Sequence, residues 1–256
     1  MVYQAQFERL ELKYLIDEVT AAEIRAAVLP FCDPDPYNGR YGRGYYIGSL
    51  YFDSPDFAFY RAKERRDHDR LKLRARVYDA TGPVSLEIKR KRGDVIWKQR
   101  AAVPRETFMD SVLGFGATVS GTSRQEQVLE RFAGTFAKYG AEPKLMVEYE
   151  REAYASRMDA YARVTFDRNV TAYATENWAF MENVARTALD TGTSERSASA
   201  VILELKAEQF LPQWMISLIH DFELFRIGYS KYNTAVQATL GALWVGDPVF
   251  MGLEHA

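Results

Sequence analysis

The sequence predicts an α+β protein of about eight, mostly antiparallel, β-strands with helices packed outside. Three observations carry that expectation. Charged and apolar residues alternate with the two-residue period of a strand in segment after segment, from RLELKYLI near the start to DRLKLRARV, where the pattern is clearest. Positive charge is concentrated: between Arg61 and Arg100 stand fourteen Lys or Arg against six Asp or Glu, a surplus of eight, whereas the whole chain has a net charge of -2. A sheet charged along one face needs its apolar face covered. Either the charged face meets water while a second sheet or helices cover the apolar one, or the sheet closes, which turns the charges toward a lumen and leaves the apolar side for helices.

In chain order, Phe7 to Ile16 alternates Arg9, Glu11 and Lys13 with Leu10, Leu12 and Tyr14, and is the first strand. Thr20 and Glu23 match a capping box opening a helix that stops at Pro30. Pro34, Asp35, Pro36, Asn38 and Gly39 mark a loop before a strand from Tyr45 to Asp53. Ser54 and Pro55 then supply an N-cap and first helical position for Asp56 to Lys63. Asp69 to Arg100 reads as a three-stranded meander turning at Thr81, Gly82 and Pro83 and again at Gly93 and Asp94. Arg70, Lys72, Arg74 and Arg76 share one of its faces, Glu87, Lys89 and Lys91 share a face of the second strand, and Arg90 and Arg92 take outward or loop positions. Residues 104–140 form a helical insertion: Pro104 opens one helix through about Leu113, and a second capping box at Ser123 and Glu126 starts another, with Val128, Leu129, Phe132 and Phe136 on its apolar stripe and Gly140 at its end. Strands resume from Pro143 to Tyr154, where alternation sets Lys144, Met146, Glu148 and Glu150 against Leu145, Val147, Tyr149 and Arg151. A further strand lies within Asp159 to Tyr173, with Arg163, Thr165 and Asp167 on one face, and another from Ala200 to Lys206, with Glu204 and Lys206 together. C-terminal helices follow over about 211–243, one from Pro212 through about Phe225 and one from Ser230 to Leu243, all within a single domain of residues 1–256.

A chain of 256 residues that is 47% hydrophobic buries a full core. Cys32 is the only cysteine, which excludes an intrachain disulfide and a thiolate zinc cage. The histidines, His68, His220 and His255, show no metal-ligand spacing. A bound metal would therefore rest on carboxylates, the ligands of hard ions such as magnesium or manganese. No apolar run approaches the roughly 20 residues that cross a bilayer, and the first residues lack the pattern of a signal peptide, so the expected location is the cytoplasm. Nucleic acid is not an expected partner, because a pI near 6.0 is low for such a domain and the cations are expected to face inward. There is no Walker-type phosphate loop.

The fragments ELK (residues 11–13), SLYFD, LKLRARVY, LEIKRK, VEYER, ARVTFD, LELK and IGYSKY stand in this order between about Arg9 and Ala235. In that order the chain resembles the VTC (vacuolar transporter chaperone) catalytic domain of the triphosphate tunnel metalloenzyme superfamily, whose CYTH members are more distant relatives. Each fragment alone is weakly specific, but eight in order are not. The resemblance implies an eight-stranded tunnel with a basic interior that grips triphosphate or polyphosphate, a divalent metal, and synthesis of inorganic polyphosphate from ATP. Carried over position by position, it implies Arg9, Lys13, Arg74, Arg76, Lys89, Lys98, Arg151, Arg163 and Lys231 as phosphate ligands, with Lys206 beside them. It implies Glu204 as the metal-binding carboxylate and catalytic roles for Arg74, Arg76, Lys89 and Glu204. Glu11, Glu87, Glu148 and Glu150 are further candidates for metal contact, Glu11 foremost, and each is expected more often to be a counter-charge within the basic lumen. Alternation groups Arg151 with Leu145 and Val147, so an inward Arg151 calls for a bulge.

Two departures qualify the resemblance. Tunnel triphosphatases carry ExExK on the first strand, whereas RLELK here puts Arg9, a phosphate ligand, where they have a metal ligand, which favours the VTC branch. A lysine of the eukaryotic enzymes is absent at Gly228, with Arg226 the nearest substitute. In eukaryotes the VTC domain is tied to a membrane complex, and the present sequence leaves a membrane partner and the oligomeric state open.

Such a residue set suits the chemistry, since phosphoryl transfer needs positioning and charge neutralisation more than a covalent nucleophile. Arg serves phosphate bidentately and Lys as a point charge. The expected function is a polyphosphate polymerase that moves the γ-phosphoryl group of ATP onto a growing chain, with manganese or magnesium at Glu204. The alternatives are a triphosphatase acting on inorganic or nucleoside triphosphate, and a polyanion-binding module without turnover. Tyr45, Tyr46, Tyr51, Tyr149 and Phe166 are expected in the core and His68 on the surface.

Overall fold

Eight strands, numbered along the chain, form one antiparallel path across the sheet: β1 (Arg9–Ile16), β10 (Val201–Glu208), β8 (Arg163–Ala174), β7 (Glu142–Ser156), β3 (Tyr45–Asp53), β4 (Asp69–Val77), β5 (Val84–Arg92) and β6 (Val95–Val103). Two short strands missed by the alternation, β2 (Cys32–Pro34) and β9 (Thr187–Ala188), pair with β7 and β8. The helices are α1 (Glu18–Val28), α2 (Ala58–Glu64), α3 (Phe108–Leu113), α4 (Ser123–Lys138), α5 (Gln213–Asp221) and α6 (Lys231–Leu240). The structure is a computed structural model and describes residues 9–93, 95–115, 123–159, 161–190 and 200–241.

The sheet curls but does not close. Among the described residues, β1 and β6 end the path and share no backbone hydrogen bonds, which corrects the expectation of a closed eight-stranded barrel. The curl is nevertheless deep enough for Glu11 on β1 to meet Lys89 on β5 at 3.0 Å. The segment between α5 and α6 supplies wall where strand pairing is missing. Its Ile227 N–H donates to the Lys13 carbonyl on the free edge of β1 (2.8 Å), and Ser230 Oγ accepts from Lys72 Nζ on β4 (2.7 Å).

Apolar burial fixes which face is inside. On the convex side, α1 and α5 lay Ile24, Val28, Met215 and Leu218 on Val164, Phe166, Leu203 and Leu205. Elsewhere on that side, Phe132 and Phe136 of α4 pack with Phe52, Leu73 and Leu86. Each such side chain contributes about 1.5–3 kcal/mol by leaving water. Not every helix is outside, however: Tyr232, Ala235 and Val236 of α6 pack against Leu145, Val147, Val170 and Ile202, so α6 plugs one end of the concave face.

Local capping departs from the sequence reading at the helix starts. Asp17, not Thr20, caps α1 by accepting from the Thr20 N–H (2.7 Å), which places Thr20 inside the helix. Helix α2 starts at Ala58, after Phe57 turns through a left-handed φ of 59°. Ser54 Oγ accepts from the Ala58 N–H and Asp53 from those of Phe59 and Tyr60. The Ser123 side chain invoked as a cap lies outside the described residues. Helix α5 ends at Asp221, before the expected Phe225, where Glu223 adopts a φ of 48°.

Candidate functional site

Because strand side chains alternate, the curl brings alternate residues of all eight strands of the path to one cavity of about 1170 Å³. From β4, β5 and β6 come Lys72, Arg74, Arg76, Lys89 and Lys98. From β7, β8 and β10 come Arg151, Arg163, Glu204 and Lys206, and β1 adds Glu11 and Lys13 while α6 adds Lys231 at its first turn. Every candidate from the sequence is thus brought together except Arg9. Its backbone pairs with Glu208, and its side chain lies outside the described residues. Fourteen basic residues line the cavity against four acidic ones.

Three buried carboxylates organise these cations. Glu87, 2% exposed, accepts from Arg74 Nε (2.9 Å) and Nη2 (2.5 Å), with Lys98 at 3.2 Å and Arg76 at 3.8 Å. Burial pushes its pKa up, but Arg74, Arg76 and Lys98 outweigh burial and hold the carboxyl well below the usual range. Glu204 is surrounded by Lys206 (2.5 Å), Lys13 (3.1 Å), Arg151 (3.4 Å) and Lys231 (3.5 Å), and again the cations overcome desolvation to keep it ionised. Asp167 takes a bidentate grip from Arg151 (2.6 and 2.7 Å) and a contact from Lys231 (2.5 Å). The cations respond unevenly. Burial, with help from Arg74 and Arg76 and against Glu87, brings Lys98 down to about 7. Burial and the neighbouring Lys13, Lys89 and Arg74 push Lys72 well below the ordinary lysine value, and it donates to a hydroxyl rather than to a carboxylate.

Arg151 shares a face with Leu145 and Val147, as alternation requires, and that face is the concave one: apolar beneath α6 and charged beyond it. No flip in β7 is needed. The irregularity sits in the partner strand β8, where Asn169, with a φ of 51°, is the extra residue opposite Glu148–Glu150. Glu148 and Glu150 therefore face outward and are not counter-charges in the lumen. Glu148 accepts from Tyr46 and Arg186, each at 2.6 Å, and Glu150 from the Arg43 and Gly44 N–H groups. Of the aromatics expected in the core, Phe166 is there, and Tyr51 and Tyr149 are buried while also lining the cavity. Tyr45 stands instead at the cavity rim, lining it beside Tyr78. His68 is exposed, Arg90 pairs outward with Asp69, and Arg226 lines the cavity together with Gly228. Sequence reasoning missed two members of the site, Asp167 and Lys72. Their available signals were an acid within the apolar ARVTFD strand and membership of the alternating LKLRAR row.

Among the described residues no cluster of three or more His, Cys, Asp or Glu side chains is placed to hold a metal. The oxygens beside one another are those of Glu204, its cross-strand neighbour Thr165, whose buried Oγ1 has no hydrogen-bond partner, and nearby Glu11. Burial raises Glu11, but Lys89 and Lys206 bring it to about 2, so it is ionised. This hard-oxygen set fits magnesium or manganese sharing its shell with phosphate oxygens, the usual arrangement for one or two carboxylates, and does not form a complete protein cage.

A comparison with curated proteins finds no match. Among solved structures, a proposed adenylate cyclase from Bacillus halodurans is 8% identical with a TM-score of 0.48, covering 87% of this chain and 95% of its own. A proposed adenylyl cyclase from Hippeastrum, with a dominant triphosphatase activity, is 12% identical with a TM-score of 0.48, covering 90% and 96%. PH1819 from Pyrococcus horikoshii is 12% identical with a TM-score of 0.44, covering 89% and 96%. The VTC domain model matches residues 8–240, a span that contains all the strands described above and every residue that lines the cationic cavity. The chain therefore belongs to the VTC domain family.

Proposed function

We propose that the protein is a metal-dependent phosphotransferase that moves the γ-phosphoryl group of ATP onto the end of an inorganic polyphosphate chain in this cavity. The observation that supports it is the surplus of cations: Arg74, Arg76 and Lys98 share Glu87, while Lys13, Lys206, Arg151 and Lys231 share Glu204 and Asp167. Charge left over after pairing awaits a polyanion. Arg74 and Arg76 offer planar donors to non-bridging oxygens, and Lys89 and Lys98 add point charge opposite them. Magnesium or manganese held by Glu204 with Glu11 would supply further neutralisation of those oxygens. The nucleophile, a terminal phosphate oxygen, is already ionised, so no side chain has to accept a proton. Glu204 and Asp167 are poor bases because their cationic partners lower their pKa values against the effect of burial. Water as nucleophile would require such a base, which favours transfer over hydrolysis.

Phosphorus NMR of the protein with ATP and manganese, run beside Glu204→Gln, tests this. Internal-chain phosphate signals growing only in the wild type are expected. Orthophosphate without them would assign a triphosphatase instead, and no turnover in either sample would leave a polyanion-binding module.

A further inference from the structure

We infer that the rim formed by Tyr45, Tyr78 and Tyr37 is a nucleoside-binding subsite: it stacks the base of a nucleoside triphosphate donor whose phosphates run inward past Arg76. This rests on the phosphotransferase reading and adds the direction in which the donor lies.

The two ends of the cavity differ in chemistry. At one, β3 begins with Tyr45 and β4 runs out into Tyr78, their ring centroids 6.3 Å apart and tilted by 46°. Tyr37 closes on Tyr45 edge-on at 6.0 Å, and the Arg40 guanidinium lies 4.1 Å over the Tyr37 ring. Tyr78 is 40% exposed and Tyr37 51%, so these large rings stand in water beside the cavity. Asp33 and Asp35 line the same rim; Asp35 Oδ1 accepts from the Tyr37 N–H at 3.0 Å, and Asp33 pairs with Arg157. At the other end, beneath α6, the lining ring Tyr51 is 4% exposed and already stacked on Tyr232.

A polyphosphate chain is uniform, and cations recognise it anywhere along its length. A nucleoside offers a flat apolar base and hydroxyl donors, and the tyrosine rim is the end whose rings and carboxylates match both. Spacing agrees with this polarity. Arg76 precedes Tyr78 by two residues on the same face, about 7 Å further in, and Arg74 lies one such step deeper. Arg151 is the cross-strand partner of Tyr45. A base against Tyr78 thus sets its phosphates along Arg76, Arg151 and Arg74, while Asp33 and Asp35 repel phosphates from the rim.

Calorimetric titration of ATP and of inorganic tripolyphosphate, without turnover, tests the subsite on wild type, Tyr78→Ala and Tyr78→Phe. Tyr78→Ala is expected to weaken ATP about tenfold while tripolyphosphate stays within about twofold, and Tyr78→Phe, which keeps the ring, to bind both like the wild type. Equal loss for the two ligands in Tyr78→Ala, or loss for neither, would overturn the subsite and leave the phosphotransferase reading standing. A wild type that binds neither ligand would overturn both.

Discussion

Two buried charge networks flank the same sheet, and they differ in stoichiometry rather than in bond length. On the convex side beneath α1, Glu152 accepts from Arg25 (2.5 and 3.0 Å), Arg168 (2.8 Å) and the Tyr154 hydroxyl (2.6 Å), and Arg168 continues to Glu18 at 2.6 Å. With Arg43 reaching Glu18 at 3.7 Å, three arginines meet two carboxylates, an excess of one. On the concave side, three carboxylates, Glu87, Glu204 and Asp167, hold seven cations within ion-pairing distance. Short ion pairs therefore do not distinguish a scaffold from a site. The size of the unbalanced remainder does, because crowding like charges in a part-buried space carries a cost that a bound anion offsets.

The sharpest break of this comparison exchanges one arginine from each network. Arg74→Met is expected to lower kcat/KM by at least about 100-fold, the loss seen when a charge-stabilising donor is removed. Arg168→Met should leave kcat/KM of the folded protein unchanged while costing about 3 kcal/mol in urea unfolding. Equal kinetic losses would erase the distinction. Of intermediate size is the response to removing a carboxylate. Glu87→Gln should destabilise the anion-free protein by about 3 kcal/mol, and tripolyphosphate should restore most of that, whereas the same loss in Glu152→Gln should not be restored. Because the native Glu87 carboxyl is held below its unfolded value of 4.5, its stabilising contribution is complete above about pH 4.5 and is lost as pH falls below it, so both measurements belong at neutral pH. The smallest effect concerns Lys98, which titrates near 7. It is charged below that pH and neutral above it, so tripolyphosphate affinity should drop about fivefold between pH 6 and 8.5, and Lys98→Met should flatten the profile.

Much of the concave network was legible because β4 and β5 obey a simple rule. Lys72, Arg74, Arg76, Glu87 and Lys89 fall on one face by period two, and the structure keeps them there. The same rule gave the correct grouping on β7 but the wrong side. Leu145 and Val147 look like a strand's outer core, and only the packing of α6 from nearly a hundred residues later makes that face the inner one. Asp167 was hidden for the related reason that a lone acid on an apolar strand has no local signature of its partners, Arg151 and Lys231. Closure was not legible either. Periodicity fixes which way a side chain points, not whether the first and last strands of a path come within hydrogen-bonding distance.

The unpaired margin between β1 and β6 changes how a long polymer relates to this protein. A ring has to be threaded from a chain end and can lose its occupant only by unthreading. Among the described residues, the wall here rests on the Lys89–Glu11 pair, the Lys72–Ser230 contact and the Ile227–Lys13 hydrogen bond, a few polar contacts in place of the row of backbone bonds that would seal a ring. The attraction of the cationic lining for any anion weakens with ionic strength, since it is screened over about 8–10 Å in salt.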